Sequence, residues 1–261
     1  MKFSIEQRRA LCATALIAVI VAGTACLNSD KKIREGKRSD SHIALARKLI
    51  EQRRLHEALT QVNMAIDEWE KNPDGHFLRG QIHFGLGMYD IAIADFSRAM
   101  DLHEDFTEAL SWKAWAEAES GDSVAAERDW TKALANPIYP SPEKIHLNLG
   151  MLLISKGRRE DGISHLRRAV AQSPGYARGH FELGKVLEED GDLKQAAAAF
   201  QAALGGMKDS PEVNLRLALV LEKQGSGALA KEHFKRVIEL SPEGPEAELA
   251  RDHLRRLDSA T

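Results

Sequence analysis

The chain has 261 residues, with 36 Lys and Arg against 39 Asp and Glu and a formal net charge of −3. Both signs are interspersed, so no single-sign field of the kind nucleic acid attracts is present, and no nucleic-acid partner is expected. The two cysteines, Cys12 and Cys26, both lie near the N-terminus. The rest of the chain therefore has no disulfide framework and no cysteine metal site, and its fold must rest on packing.

Lys2, Arg8 and Arg9 precede an uncharged stretch from Ala10 to Asn28, whose core, Leu11 to Ala25, ends in small residues ahead of Cys26. This is the order of an export signal, so residues 1–25 are set apart as a signal peptide or membrane anchor and 26–38 as a lipidated or polar linker. Three readings are open. Gly23, Thr24, Ala25 and Cys26 read as a lipobox with Cys26 as the lipidated first residue, although such boxes usually carry an aliphatic residue where Gly23 stands. Gly23 and Ala25 also suit an ordinary signal peptidase, which would release a soluble periplasmic product. Left uncleaved, the stretch is just long enough to span a bilayer. The cations Lys31, Lys32, Arg34, Lys37 and Arg38 beyond it disfavour its translocation, which supports an inner-membrane anchor formed by residues 11–28.

From residue 39 a period takes over. Gly87, Gly121, Gly157, Gly191 and Gly225 are spaced by 34, 36, 34 and 34 residues. A period of this length marks stacked copies of one supersecondary unit. Units begin at Ser39, Pro73, Thr107, Glu143, Ala177 and Pro211. Position eight is small in each: Ala46, Gly80, Ala114, Gly150, Gly184, Ala218. So is position twenty: Ala58, Ala92, Ala126, Gly162, Ala196, Ala230. Position twenty-four is large: Val62, Phe96, Trp130, Leu166, Phe200, Phe234. Two antiparallel helices approach to ~8–10 Å only where the crossing residues are small, and the large residue then fills the space beside the neighbouring hairpin. The Gly at position fifteen ends the first helix in a left-handed conformation. The first unit lacks that Gly, and its second helix is expected to run about three residues long before Pro73.

This pattern resembles the tetratricopeptide repeat. The resemblance implies an all-α, right-handed superhelical solenoid of six helical hairpins over residues 39–242. A capping helix and tail over 243–261 would follow, with Ala247, Ala250, Leu254 and Leu257 on its apolar face. In that fold the first helices line a concave groove. Here the groove positions carry Ile43, Phe77, Phe84, Trp115, Leu147, Met151, Ile154, Phe181, Leu215 and Leu219. A row of apolar residues with no packing duty in its own hairpin marks a protein-binding surface. Positions five and nine, where Lys and Asn clamp chaperone C-termini in some relatives, read Ile43, Phe77, Ser111, Leu147, Phe181, Leu215 and Arg47, Gln81, Trp115, Met151, Lys185, Leu219; the clamp set is absent, so an apolar helix or strand is the better occupant.

Catalysis, metal and cofactor chemistry are not expected, nor is a small-molecule substrate. His42, His76, His146 and His180 all fall at position four of a unit, which assigns them to packing and hydrogen bonding within each hairpin. The acidic run Glu188, Glu189, Asp190, Asp192 lacks the alternating spacing of a calcium loop and sits at a repeat turn. No Gly-rich phosphate loop and no nucleophile motif occurs.

The period slips once. Between the third and fourth units it lengthens to 36, and the joint carries Pro137, Tyr139, Pro140 and Pro142. A Pro-aromatic-Pro joint at this place, six repeats and an N-terminal signal ending in Cys together resemble the PilF/PilW-type pilotins, lipoproteins of type IV pilus biogenesis. That resemblance implies a protein held by lipid on Cys26 at the periplasmic face of the outer membrane. It implies that the protein binds secretin subunits and helps them assemble there. The alternative is a membrane-anchored repeat scaffold of another envelope complex.

Overall fold

The structure is a computed structural model, described here over residues 34–259. Among the described residues there are thirteen helices and no strands. Two compact units divide the chain, one ending at Asp122 and the other starting at Ser123. The first holds α1 (34–51), α2 (Leu55–Glu68), α3 (Pro73–Gly85), α4 (Tyr89–Leu102) and α5 (Thr107–Ser120). The second holds α6 (Ser123–Leu134), α7 (Pro142–Ser155), α8 (Arg159–Gln172), α9 (Ala177–Glu189) and α10 (Leu193–Met207). It continues through α11 (Pro211–Lys223) and α12 (Gly227–Leu240) to α13 (Pro245–Ser259). The export segment with Cys12 and Cys26 lies outside the described residues, and among those described no helix is long and apolar enough to cross a membrane.

The helix boundaries follow local chemistry. Pro73, Pro142 and Pro211 each occupy the first turn of a helix, where a missing N–H costs least. Asn72, Asp192 and Ser210 cap α3, α10 and α11 through side-chain oxygens that accept from Asp74, Gln195 and Val213 N–H groups. All five turn glycines have positive φ, from 76° to 97°. In the first hairpin, Arg53 stands at the same repeat position and adopts φ 59°. The turn geometry is thus kept where its usual residue is absent.

Two expectations for the first hairpin are corrected. Helix α2 ends at Glu68 with fourteen residues, the same length as α4, so it does not overrun toward Pro73. Residues 34–38, read as linker, are already helical, and Arg38 pairs with Glu68 at 3.3 Å. Ser39 is fully buried; its hydroxyl donates to the Ala65 carbonyl (2.8 Å) and accepts from Asn72 Nδ2 (2.9 Å). That knot ties the start of α1's packed face to the end of the hairpin.

The small and large positions pack as their sizes dictate. A Cβ placed on Gly80 would come within 2.7 Å of the Phe96 ring, and one on Gly184 within 2.7 Å of Phe200. At the α7–α8 crossing the backbones nearly touch: a Cβ on Gly162 would lie 2.6 Å from the Gly150 carbonyl oxygen. Ala46, Ala58, Ala65, Ala92, Ala99, Ala196 and Ala203 are all fully buried at equivalent crossings. In the second unit the core runs through Leu166, Phe181, Phe200, Val213 and Leu217 to a last cluster of Ala218, Ala230, Phe234, Val237 and Ala250. Leu254 and Leu257 of α13 pack on that last cluster, and the Phe234 ring stacks on His253 at 5.1 Å. The final helix therefore covers apolar surface that the sixth hairpin would otherwise leave bare.

Candidate protein-binding surface

The ten residues assigned to the groove divide by burial. Ile43, Phe77, Leu147, Phe181 and Leu215, all at position five, are buried. Phe84, Ile154 and Leu219 are half-buried. Trp115 and Met151, both at position nine, are exposed at 36% each. The position-five side chains join core clusters: Ile43 with Val62 and Leu78, Phe77 with Phe96 and Ala109, Leu147 and Phe181 with Leu166, Leu215 with Phe234. The faces left to solvent are thus built mainly from positions nine and twelve.

In the first unit these positions form an aromatic cluster. The Phe84 ring lies 4.7 Å from Trp115, 5.6 Å from Trp112 and 5.5 Å from Tyr89, and the two Trp rings are 5.2 Å apart. Phe77 continues it inward at 4.9 Å from Phe106 and 5.8 Å from Phe96. Offset and edge-on contacts of this kind hold rings rigidly and add about 0.5–1.5 kcal/mol per pair beyond burial. The Trp115 indole N–H donates to Glu119 at 3.2 Å, which fixes the ring while part of it stays exposed. Sequence reasoning passed over Trp112 and Tyr89. Trp112 lies one helical turn before Trp115, and that spacing was the available signal.

In the second unit the α9 face is amphipathic. Glu182 is buried and receives Arg178 and Lys185, each at 2.9 Å. Lys185 also stands over the Phe181 ring at 5.4 Å. The acidic run at the α9–α10 turn is fully employed. Glu188 takes Arg216 and Lys223, Glu189 and Asp190 take Arg159, and Asp192 caps α10. Among the described residues no group of three or more His, Cys, Asp or Glu side chains is placed to hold a metal ion.

The position-four histidines follow a common rule. His42 meets Gln61 at 2.8 Å and His146 meets His165 at 2.9 Å, each across its hairpin to position twenty-three. Asn214 does the same with His233 at 3.0 Å. His76 and His180 instead reach the carbonyls of Glu70 and Pro174, six residues back, at 2.9 Å. Burial, the neighbouring His165 and the charge of Arg168 together depress His146 to a pKa of about 4. Burial and Arg168 also lower His165. The pair is neutral at pH 7, with one Nδ1–H donating to the other Nδ1.

Two clefts open in the second unit. One, of about 590 Å³, runs along α8 and is lined by both signs of charge: Arg167 and Arg168, with Glu160, Asp190 and Asp192. The other, of about 580 Å³, lies at the joint between α6 and α7, where Pro137, Tyr139 and Pro142 meet His146, His165 and Arg168.

Helical hairpins with this register define a repeat protein of the interaction-scaffold type. A tetratricopeptide repeat profile matches residues 43–99, 84–141 and 147–212, and a second matches 187–254. The chain belongs to the tetratricopeptide repeat family. Such repeats generally serve as non-catalytic protein-interaction scaffolds, and no enzymatic family is indicated. Mouse tetratricopeptide repeat protein 16 is 25% identical over 226 residues, 80% of this chain and 26% of its own length. Rat DnaJ homolog subfamily C member 3 is 29% identical over 105 residues, 40% of this chain and 21% of its own. The chain thus spans about a quarter of the length of these relatives. Among solved structures, PilW, a widely conserved type IV pilus biogenesis factor, superposes with a TM-score of 0.70 at 21% identity, over 81% of this chain and 97% of that one. PilF of Pseudomonas aeruginosa superposes at 0.72 and 12% identity, over 84% and 98%. Cut9, from the APC/C Cut9–Hcn1 hetero-tetramer, gives 0.67 at 16% identity, over 89% and 45%. At these identities the likeness shows the fold.

Proposed function

We propose that this chain is a pilotin-type lipoprotein, which binds secretin subunits and promotes their assembly in the outer membrane for type IV pili. The observation that carries the reading is likeness in extent as well as fold: PilW and PilF are covered over 97% and 98% of their lengths. An apolar segment ending in Cys26 and the Pro137–Pro142 joint fit the same reading. In the first unit the binding face would be Phe84 and Trp115, resting on the buried Phe77; in the second it would be Met151, Ile154 and Leu219, resting on the buried Leu147, Phe181 and Leu215. An unassembled secretin exposes apolar surface that such a face can shield. Lipid on Cys26 would hold the body at the periplasmic face of the outer membrane.

A second reading is a membrane-anchored scaffold of another envelope complex. It is favoured by the cations between Lys31 and Arg38, which oppose translocation of the preceding apolar stretch, and by a likeness to Cut9 nearly as great as that to PilW. Affinity capture from solubilised membranes with the full chain as bait separates the two. Recovery of a secretin supports the pilotin; other envelope partners without a secretin sink it. Processing tested with globomycin checks the lipid. A precursor of unchanged size with and without the drug rules out lipidation at Cys26.

A further inference from the structure

The joint that breaks the period also borders a cleft. Seven residues, 135–141, connect α6 to α7, against three or four at the other joints between hairpins. The cleft of about 580 Å³ beside this longer joint has an unusual lining for a chain with more acids than bases. Three basic side chains, Arg168, His146 and His165, face it, and among the described residues no Asp or Glu does. Arg168 also borders the cleft along α8, but of the acids there Asp190 pairs with Arg159 and Asp192 caps α10.

Arg168 makes no ion pair or hydrogen bond among the described residues, whereas Arg159 on the same helix and Arg158 at its N-cap each take two carboxylates. His146 is 95% buried, being 5% exposed, and its Nδ1 is committed to His165. Gln172 and the joint's Tyr139 add polar groups at the cleft wall, and Leu134 and Leu149 add apolar ones. A guanidinium without a carboxylate, beside two imidazoles that can take up a proton and an apolar wall, is the complement of a carboxylate on an apolar stem.

We propose that the joint cleft is a second binding site, separate from the aromatic face, which takes a peptide carboxylate on Arg168 and the His146–His165 pair. The site stands on geometry confined to the second unit and does not depend on the identity of the main partner. An anion there would offset the positive charge of Arg168 that now helps to hold both imidazoles neutral, so binding and protonation support each other. The other charged groups acting on His165 are Asp161 of α8, Arg158 at its N-cap and Glu127 of α6, two acids against one base. They are already paired, Arg158 with Glu127 at 2.6 Å and with Asp161 at 3.0 Å, and so leave Arg168 as the unbalanced charge.

The test is an NMR titration of the imidazole resonances of the full chain with three capped dipeptides. Acetyl-Gly-Leu with a free C-terminus presents a terminal carboxylate, acetyl-Gly-Glu-amide a side-chain carboxylate, and acetyl-Gly-Leu-amide none. The expected result is saturable, millimolar binding of at least one carboxylate probe with no response to the amide. The terminal and side-chain probes tell which source the site prefers. As pH falls toward the His146 pKa, affinity should rise, by about tenfold in all for each unit by which binding lifts that pKa. Arg168 is exposed, so Arg168→Gln should leave the fold intact and weaken binding about tenfold. His165→Gln copies the His42–Gln61 pair of the first hairpin and keeps the cross-hairpin hydrogen bond, so it should fold normally, weaken binding less than Arg168→Gln does, and reduce the pH dependence. Equal responses to acid and amide, wild-type affinity in Arg168→Gln, or no response to either carboxylate at about 20 mM would each overturn the proposal.

Discussion

Gly184 and Phe200 interlock across the α9–α10 hairpin so closely that a single methyl group on Gly184 would stand 2.7 Å from the ring. Gly80 and Phe96 repeat the arrangement in the α3–α4 hairpin at the same distance. Phe200 is fully buried and packs at 6.0 Å from Phe181, so its ring cannot retreat without opening the core. Gly184→Ala should therefore destabilise the protein by up to about 2 kcal/mol, because overpacking of about 1–3 kcal/mol outweighs the ~1 kcal/mol that Ala gains in a helix interior. In a double-mutant cycle with Phe200→Leu, the Ala should cost less than it does beside Phe. Denaturation midpoints of the four variants measure this. Additive effects would mean that the contact is looser than the geometry says.

Arg53 offers the opposite experiment. Its φ of 59° places an L-residue where the other five turns use Gly, at a cost of about 1–2 kcal/mol. Its guanidinium forms no ion pair among the described residues to offset that cost. Arg53→Gly should stabilise the first hairpin by about 1 kcal/mol, less whatever the unfolded chain gains in freedom. Gly191→Ala should destabilise by a similar amount, although nothing lies within 4 Å of the added methyl, because the penalty is conformational. Hydrogen exchange across α1 and α2 would localise the first effect; faster exchange there in Arg53→Gly would reverse the argument.

These two cases show what was readable from residues alone and what was not. The register of the hairpins was readable because Gly, small and large residues recur for steric reasons that act locally. Ala46, Gly80, Gly150, Gly184 and Ala218 all lie at close crossings as that register implies. The fate of position five was not, since whether Phe77 or Phe181 is covered depends on how closely successive hairpins stack, and no single hairpin encodes that angle. Arg53 was hidden because a conformation, unlike a residue type, leaves no letter. Trp112 escaped because it sits at a position that carries Leu183 and Leu217's neighbours Glu182 and Arg216 in other repeats. The joint cleft was half visible: the slip in period was plain, but its unbalanced charge needed α6, α7 and α8 to be brought together.

The aromatic cluster yields a prediction that separates binding from packing. Trp115 is 36% exposed and touches Phe84, and Phe84 in turn touches Tyr89 and Trp112. If the face binds the partner, Trp115→Ala should weaken the complex by about 2 kcal/mol, roughly thirtyfold in Kd. The cost to folding should be about 2–3 kcal/mol, because the residue is only 36% exposed and its ring contacts with Phe84 and Trp112 are lost. Calorimetric titration against the captured partner, with thermal melts alongside, gives both numbers. Wild-type affinity combined with a large loss of stability would mean that Trp115 only covers Phe84.

The His146–His165 pair makes stability depend on pH in a direction that can be worked out. An unfolded His takes up a proton near 6.5, whereas folded His146 resists until about 4, and His165 is shifted the same way. Between those values the unfolded chain binds more protons, so stability rises with pH there. The contribution is full above about 6.5 and is lost as pH falls toward 4, amounting to the order of 2 kcal/mol. His146→Phe restores the aromatic residue that the family usually carries at position four and removes the group that most resists protonation. Melting temperatures at pH 5 and pH 8 should therefore differ by several degrees in the wild type and by clearly less in His146→Phe. An equal drop in both would place the acid sensitivity elsewhere, with the similarly depressed His233 as the next group to replace.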